Sequence, residues 1–121
     1  MLNSTKVMAA LGSNVFFIGS VGFDDAAMRL KESAKRYGFS ESLRTTETAH
    51  TGEVLCLVTP EGQRSFAYYP GATATLQYDD FVVAFNQRCT HNSFNRCKLA
   101  YFDCYTLLIS ENFTERVMEY V

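Results

Sequence analysis

Tryptophan is absent from this 121-residue chain, and only two prolines, two histidines and seven glycines occur. The scarcity of Pro and Gly excludes collagen-like and low-complexity chains, and an apolar content of 47% is enough to bury a core. The length allows one domain at most, or part of one. No block of like charge occurs: 11 basic against 13 acidic residues leave a formal charge of −2. A field of that size does not gather nucleic acid. No apolar run reaches bilayer length, and no basic segment, apolar stretch and cleavage site open the chain. The reading is a cytoplasmic protein with neither nucleic acid nor membrane as partner. Cys56, Cys89, Cys97 and Cys104 show no Cys-x-x-Cys spacing and read as reduced thiols; Cys89-Thr90-His91 is too small a cluster for a zinc site. The triplets Asn3-Ser4-Thr5 and Asn112-Phe113-Thr114 read as chance glycosylation patterns. Neither a Walker loop nor a dinucleotide Gly-x-Gly-x-x-Gly is present, and His50 and His91 have no nucleophile at a triad-like spacing.

What is present alternates between helical and strand patterns. Ser4 to Leu11 reads as a short helix, with Asn3 or Ser4 able to cap its free amides and Gly12 placed to end it. Val15 to Ile18 is a continuous apolar, β-prone run, as in a parallel strand covered on both faces, and Gly19 to Gly22 reads as its exit. Asp24 and Asp25 open a second helix, with Ala27, Leu30, Ala34 and Tyr37 as its apolar stripe and Gly38 as its stop. Leu43 to Thr48 suits an edge strand. Val54 to Thr59 and Ser65 to Tyr69 flank Thr59-Pro60-Glu61-Gly62, which predicts a β-hairpin apart from the main sheet. A helix over Asp79 to Phe85, a polar connection over Gln87 to Lys98, a parallel strand over Leu99 to Phe102 and a last helix capped by Ser110, with Phe113, Val117 and Tyr120 or Val121 as its stripe, complete the pattern. The class is α/β: a parallel sheet flanked by helices, with a core over 1–40 and 72–121 and a small hairpin unit over 41–71. Pattern and composition go no further than that.

The spacing Asn3-x-Thr5, six residues, Gly12, nine residues, Gly22 resembles the first signature of the PfkB carbohydrate kinase family, which includes ribokinase, fructokinase and adenosine kinase. The wording Asn3-Ser4-x-Lys6-Val7 is most similar to adenosine kinase. Thr51-Gly52 before a strand, Gly62-Gln63-Arg64-Ser65 at the hairpin, Gly71-Ala72 after it, and Ala100-Tyr101-Phe102 followed by Leu107 to Ser110 also look like the family. The resemblance implies a partial ribokinase-like fold whose hairpin is a lid over the substrate. It implies transfer of a phosphoryl group from ATP, with Mg²⁺, to adenosine in purine salvage. A ribokinase- or fructokinase-like sugar kinase, and a non-catalytic module that binds a nucleoside or sugar, are the alternative readings.

The same resemblance implies site residues. Asn3 binds sugar hydroxyls, which a carboxamide suits because it both donates and accepts; capping a helix is its other reading. Arg64, following the lid turn, reaches phosphate oxygens, or else is a solvated arginine. Phe66 and Tyr68 share one side of the lid strand and wall off the substrate, or pack lid against core. Tyr105 stacks near a purine, although Thr106 replaces the second aromatic ring of that pair. Asp24 reads as a helix cap, and Ala27 stands where the family places a glycine. The Gly-Ala-Gly-Asp motif with the proton acceptor, the Asn-x-x-Glu segment tied to magnesium, the ATP pocket and the first strand with its sugar-binding Asp do not occur in these residues. Asp79, Asp80 and Asp103 lack the glycine context of that acceptor. The chain begins within the glycine-rich motif and ends within a helix, so the expectation is a fragment without ATP- or Mg²⁺-binding residues, inactive alone, with an exposed sheet edge open to association.

Overall fold

The structure is a computed structural model. It describes residues 2–88, 97–102 and 112–120. Helix α1 spans Leu2–Ala10. Asn3 and Ser4 therefore lie inside its first turn and not ahead of it. Gly12 takes a left-handed φ of 86°, and the Ser13 and Gly12 amides donate to the Met8 and Ala9 carbonyls. This is the closure that a glycine just past the last helical turn permits.

Strand β1 runs over Phe16–Gly22, and β2 over Ser40–Thr46. They pair in parallel, from Phe16 opposite Ser40 to Gly22 opposite Thr46. Residues Gly19 to Gly22, expected as an exit, are thus part of the strand. Their backbone has a ladder partner in Leu43 to Thr46, which a reading of side chains alone cannot supply. Between the two strands lies α2, Asp25–Tyr37, the crossover that parallel pairing requires. Ala27 and Ala34 of its stripe are buried, while Tyr37 remains exposed beneath the Lys6 ammonium of α1, 5.3 Å from its ring centre. Gly38 ends α2 at φ 72°.

Strands β3, Glu53–Val58, and β4, Arg64–Tyr69, form a separate antiparallel ribbon. β2, which falls in the 41–71 span from Glu41 onward, belongs to the parallel sheet. A 3-10 turn over Gly71–Thr75 leads back to α3, Tyr78–Arg88. The last described helix, α4, spans Phe113–Tyr120; Ser110 lies outside the described residues. Phe81 and Phe85 of α3 pack with Phe113 and Val117 of α4 as a buried cluster, joined by Ile18 of β1 and by Leu76 and Phe102. Phe81 sits at its centre: ring centroids lie 5.4 Å away for Phe85, 5.9 Å for Tyr120 and 6.4 Å for Phe113.

Leu99 to Phe102 enters no ladder among the described residues, contrary to the expected strand. Its Phe102 ring joins the aromatic cluster while Leu99 remains 77% exposed. Apolar, β-prone residues define a strand only where a neighbouring backbone is free to pair. No described helix is long and apolar enough to cross a membrane.

Candidate functional site

In open α/β sheets, ligands gather beyond the carboxyl ends of the strands. The segment that follows the carboxyl end of β2 leads here into the β3–β4 ribbon. The hairpin forms because its strand runs are β-prone and its turn residues fit. Gly62 donates its N–H to the Thr59 carbonyl at 2.9 Å, Thr59 N–H donates to Gln63, and Gly62 takes φ 82°, so a left-handed glycine follows the turn. At the tip the Thr59 hydroxyl holds the Glu61 carboxyl below its usual range.

The register fixes the two faces. Val54 lies opposite Tyr68, Cys56 opposite Phe66, and Val58 opposite Arg64. Directly opposed residues project to one side, so Arg64, Phe66 and Tyr68 share a face; alternation predicts this for Phe66 and Tyr68, and the register adds Arg64. Val54, Cys56 and Val58 share that face too. Sequence reading missed these three; alternation along β3 and the hairpin register were the available signal. The other face carries Leu55 and Leu57 with Ala67 and Tyr69. Every residue of both strands is exposed, including Phe66 at 58%. Among the described residues no ion pair or hydrogen bond engages the Arg64 side chain.

The base of the ribbon is fixed as firmly as its blade is bare. Asp24 is the N-cap of α2, where its extended backbone and short acidic side chain suit the position; its Oδ1 accepts from the Ala27 N–H at 2.9 Å. It also grips the ribbon stem. The Thr51 N–H donates to Asp24 Oδ2 at 2.7 Å, and the Thr51 hydroxyl donates to Oδ1 at 2.7 Å. That hydroxyl in turn accepts from the Gly22 N–H at 3.0 Å. The Thr51 amide, its hydroxyl and the Ala27 amide together draw the Asp24 carboxyl from 3.8 down to about 2, against a small opposing effect of burial. His50 Nδ1 stands 3.7 Å from Oδ2. Asp24 is thus a cap, as expected. Its second task, holding Thr51, was not legible, although Thr51-Gly52 had stood out as a pattern.

Asn3 is exposed in the first turn of α1, a helix that packs on α2. No hydrogen bond among the described residues joins Asn3 to the ribbon. Tyr105, with Thr106 and Asp103, lies outside the described residues. An open concavity beside the stem is lined by Asp24, Asp25, Arg29, His50 and Glu53. Among the described residues no group of three or more His, Cys, Asp or Glu side chains could hold a metal ion. Among the described residues the exposed Arg64 guanidinium is a group whose chemistry suits a phosphate.

A parallel strand pair with helical crossover and a two-stranded flap beyond its carboxyl end is the arrangement of a ribokinase-like α/β fold, here in part. The family model described as pfkB family carbohydrate kinase matches residues 1–108, and the chain belongs to that family. Over 112 residues it is 26% identical to an "Uncharacterized sugar kinase" of Archaeoglobus fulgidus, covering 93% of this chain and 43% of that protein. Among solved structures it resembles Anopheles gambiae adenosine kinase in complex with P1,P4-di(adenosine-5) tetraphosphate: TM-score 0.63 and 27% identity over 72% of this chain and 27% of that one. It also resembles a fructokinase from Xylella fastidiosa, with TM-score 0.58 and 28% identity over 65% of this chain and 25% of that one. The chain spans less than half the length of the curated relative it matches.

Proposed function

We propose that this chain is the lid-bearing, acceptor-binding portion of an adenosine kinase-like phosphotransferase that converts ATP and adenosine to ADP and AMP in purine salvage. The observation that carries this reading is the shared, exposed ribbon face of Arg64, Phe66 and Tyr68, in a chain that resembles an adenosine kinase. Phe66 and Tyr68 form an apolar wall that excludes water over the bound nucleoside, and Val54 and Cys56 extend it. The forked guanidinium of Arg64 matches phosphate oxygens and offsets their charge. Asn3 meets the paired ribose hydroxyls with one donor and one acceptor group. Tyr105 is the ring assigned in this reading to stack on the purine.

ATP supplies the phosphoryl group when bound, with Mg²⁺ as its counter-ion. Their seat, and the carboxylate that takes the acceptor's proton, belong in this reading to the part of the relatives' length that the chain does not span. The chain's own share is to bind, orient and enclose the acceptor. The setting is cytoplasmic, without nucleic acid or membrane, and the strand edges left unpaired among the described residues are surfaces for association. A sugar acceptor is the second reading, favoured by the likeness to a fructokinase. Calorimetric titration with adenosine, ribose and fructose separates the two. Adenosine should bind at least about tenfold more tightly, a difference of about 1.4 kcal/mol, and Phe66→Ala should erase the preference. Binding of fructose alone would transfer the chain to the sugar kinases.

A further inference from the structure

The ribbon leaves the core through two stems, His50 to Gly52 and Pro70 to Ala72, and these touch each other. The Ala72 N–H donates to the His50 carbonyl at 2.7 Å. A Cβ on Gly52 would lie 2.5 Å from the Pro70 carbonyl oxygen, and one on Gly71 would collide with that of His50. Only glycines allow the stems to approach so closely. One stem is then bolted to the core through Thr51, which is buried. Its hydroxyl uses both capacities, donating to Asp24 and accepting from Gly22, while its amide occupies the other oxygen of the same carboxylate. The junction is closed on its third side. A Cβ on Gly22 would meet the Ala49 oxygen, Asp24 Oδ2 and the Thr51 nitrogen, each at 2.7 Å. From Glu53 to Tyr69, by contrast, nothing is buried.

We propose that Thr51 is a positioning residue: through Asp24 and Gly22 it fixes the direction in which the ribbon leaves the sheet, and so presents the Arg64 face at one set angle to the core. The proposal rests on reading the ribbon as a lid, but it concerns the ribbon's attachment and not its ligand. Charge-assisted hydrogen bonds to a shared carboxylate are short and directional, which suits them to hold an angle. Because the stems are also joined to each other, freeing one loosens both.

Residual dipolar couplings of the backbone amides test this on the full chain, without ligand, in the wild type, Thr51→Val and Thr51→Ser. In the wild type, amides 54–58 and 64–69 should fit one alignment tensor with those of β1 and β2. Valine keeps the shape of Thr51 but leaves the Gly22 N–H and one carboxylate bond unmet, so ribbon couplings should shrink at least twofold while β1, β2 and α3 keep theirs. Serine, which retains the hydroxyl, should restore wild-type values. Ribbon couplings equal in wild type and Thr51→Val, a uniform loss over the whole chain, or failure of serine to rescue would each overturn the proposal. If Thr51→Val does not fold, Asp24→Asn is read in the same way, since a carboxamide keeps one acceptor oxygen and loses the second. Failure here would leave the adenosine titration unaffected, and failure of that titration would leave the couplings unaffected.

Discussion

At the scale of single residues, Asp24 has the most consequential chemistry. Its carboxylate accepts from Ala27 and twice from Thr51, which lowers its pKa from 3.8 to about 2. The fold therefore favours the ionised form. The stability this contributes is complete above about pH 4 and is lost as the pH falls from there through about 2. Thermal unfolding followed between pH 6 and pH 2 should show this fall, and Asp24→Asn should be less stable at pH 6 with a flatter acid limb. An acid limb identical in the two proteins would contradict the assignment. The cap was legible because an acidic residue directly preceding an amphipathic stripe has a local meaning. Its bond to Thr51 was not, because the partners are 27 positions apart and nothing local pairs them.

At the scale of elements, the contrast is between a packed aromatic seam and a bare ribbon. Phe81 touches Phe85, Phe113 and Tyr120 at edge or tilted geometry, so Phe81→Ala removes one ring from the centre of the α3–α4 seam. A loss of about 3–5 kcal/mol is expected, a large share of the usual stability of a domain, measurable by urea denaturation. Val83→Ala on the exposed side of α3 should change stability by less than about 0.5 kcal/mol. Hairpin, α2 and α1 were legible because a period of two with a Pro–Gly turn, a stripe with a glycine stop for α2, and the Gly12 stop for α1 are written locally. Strand β1 was read too short, since Gly19 to Gly22 become strand only through β2. Leu99 to Phe102 was read as strand on its β-prone residues, but pairing is a property of two segments, and this one has no partner among those described.

At the scale of the whole molecule, family and fold were both carried by the glycine and asparagine spacing at the start of the chain, and the structure places α1, β1, α2 and the ribbon in the order that the resemblance implied, with β2 between α2 and the ribbon. The candidate site was half legible. Alternation put Phe66 and Tyr68 on one face; only the register added Arg64, Val54, Cys56 and Val58. A ribbon apolar on both faces, exposed throughout, is out of balance with water. In the proposed function a nucleoside covers one of those faces. The same account denies the chain turnover of its own, because one guanidinium does not replace a proton acceptor and a nucleotide seat. A coupled assay with ATP and adenosine should give no ADP above background. ADP formed by the wild type and abolished in Arg64→Ala would show that the chain is complete as a catalyst.

The most direct test of the central claim is a map of where adenosine binds. In a titration of the isotope-labelled chain followed by amide resonances, the account predicts that shifts concentrate on the Asn3 side-chain amide and on the backbone of residues 64–68, and saturate together. Shifts confined to α3 and α4, or none at millimolar adenosine, would contradict it.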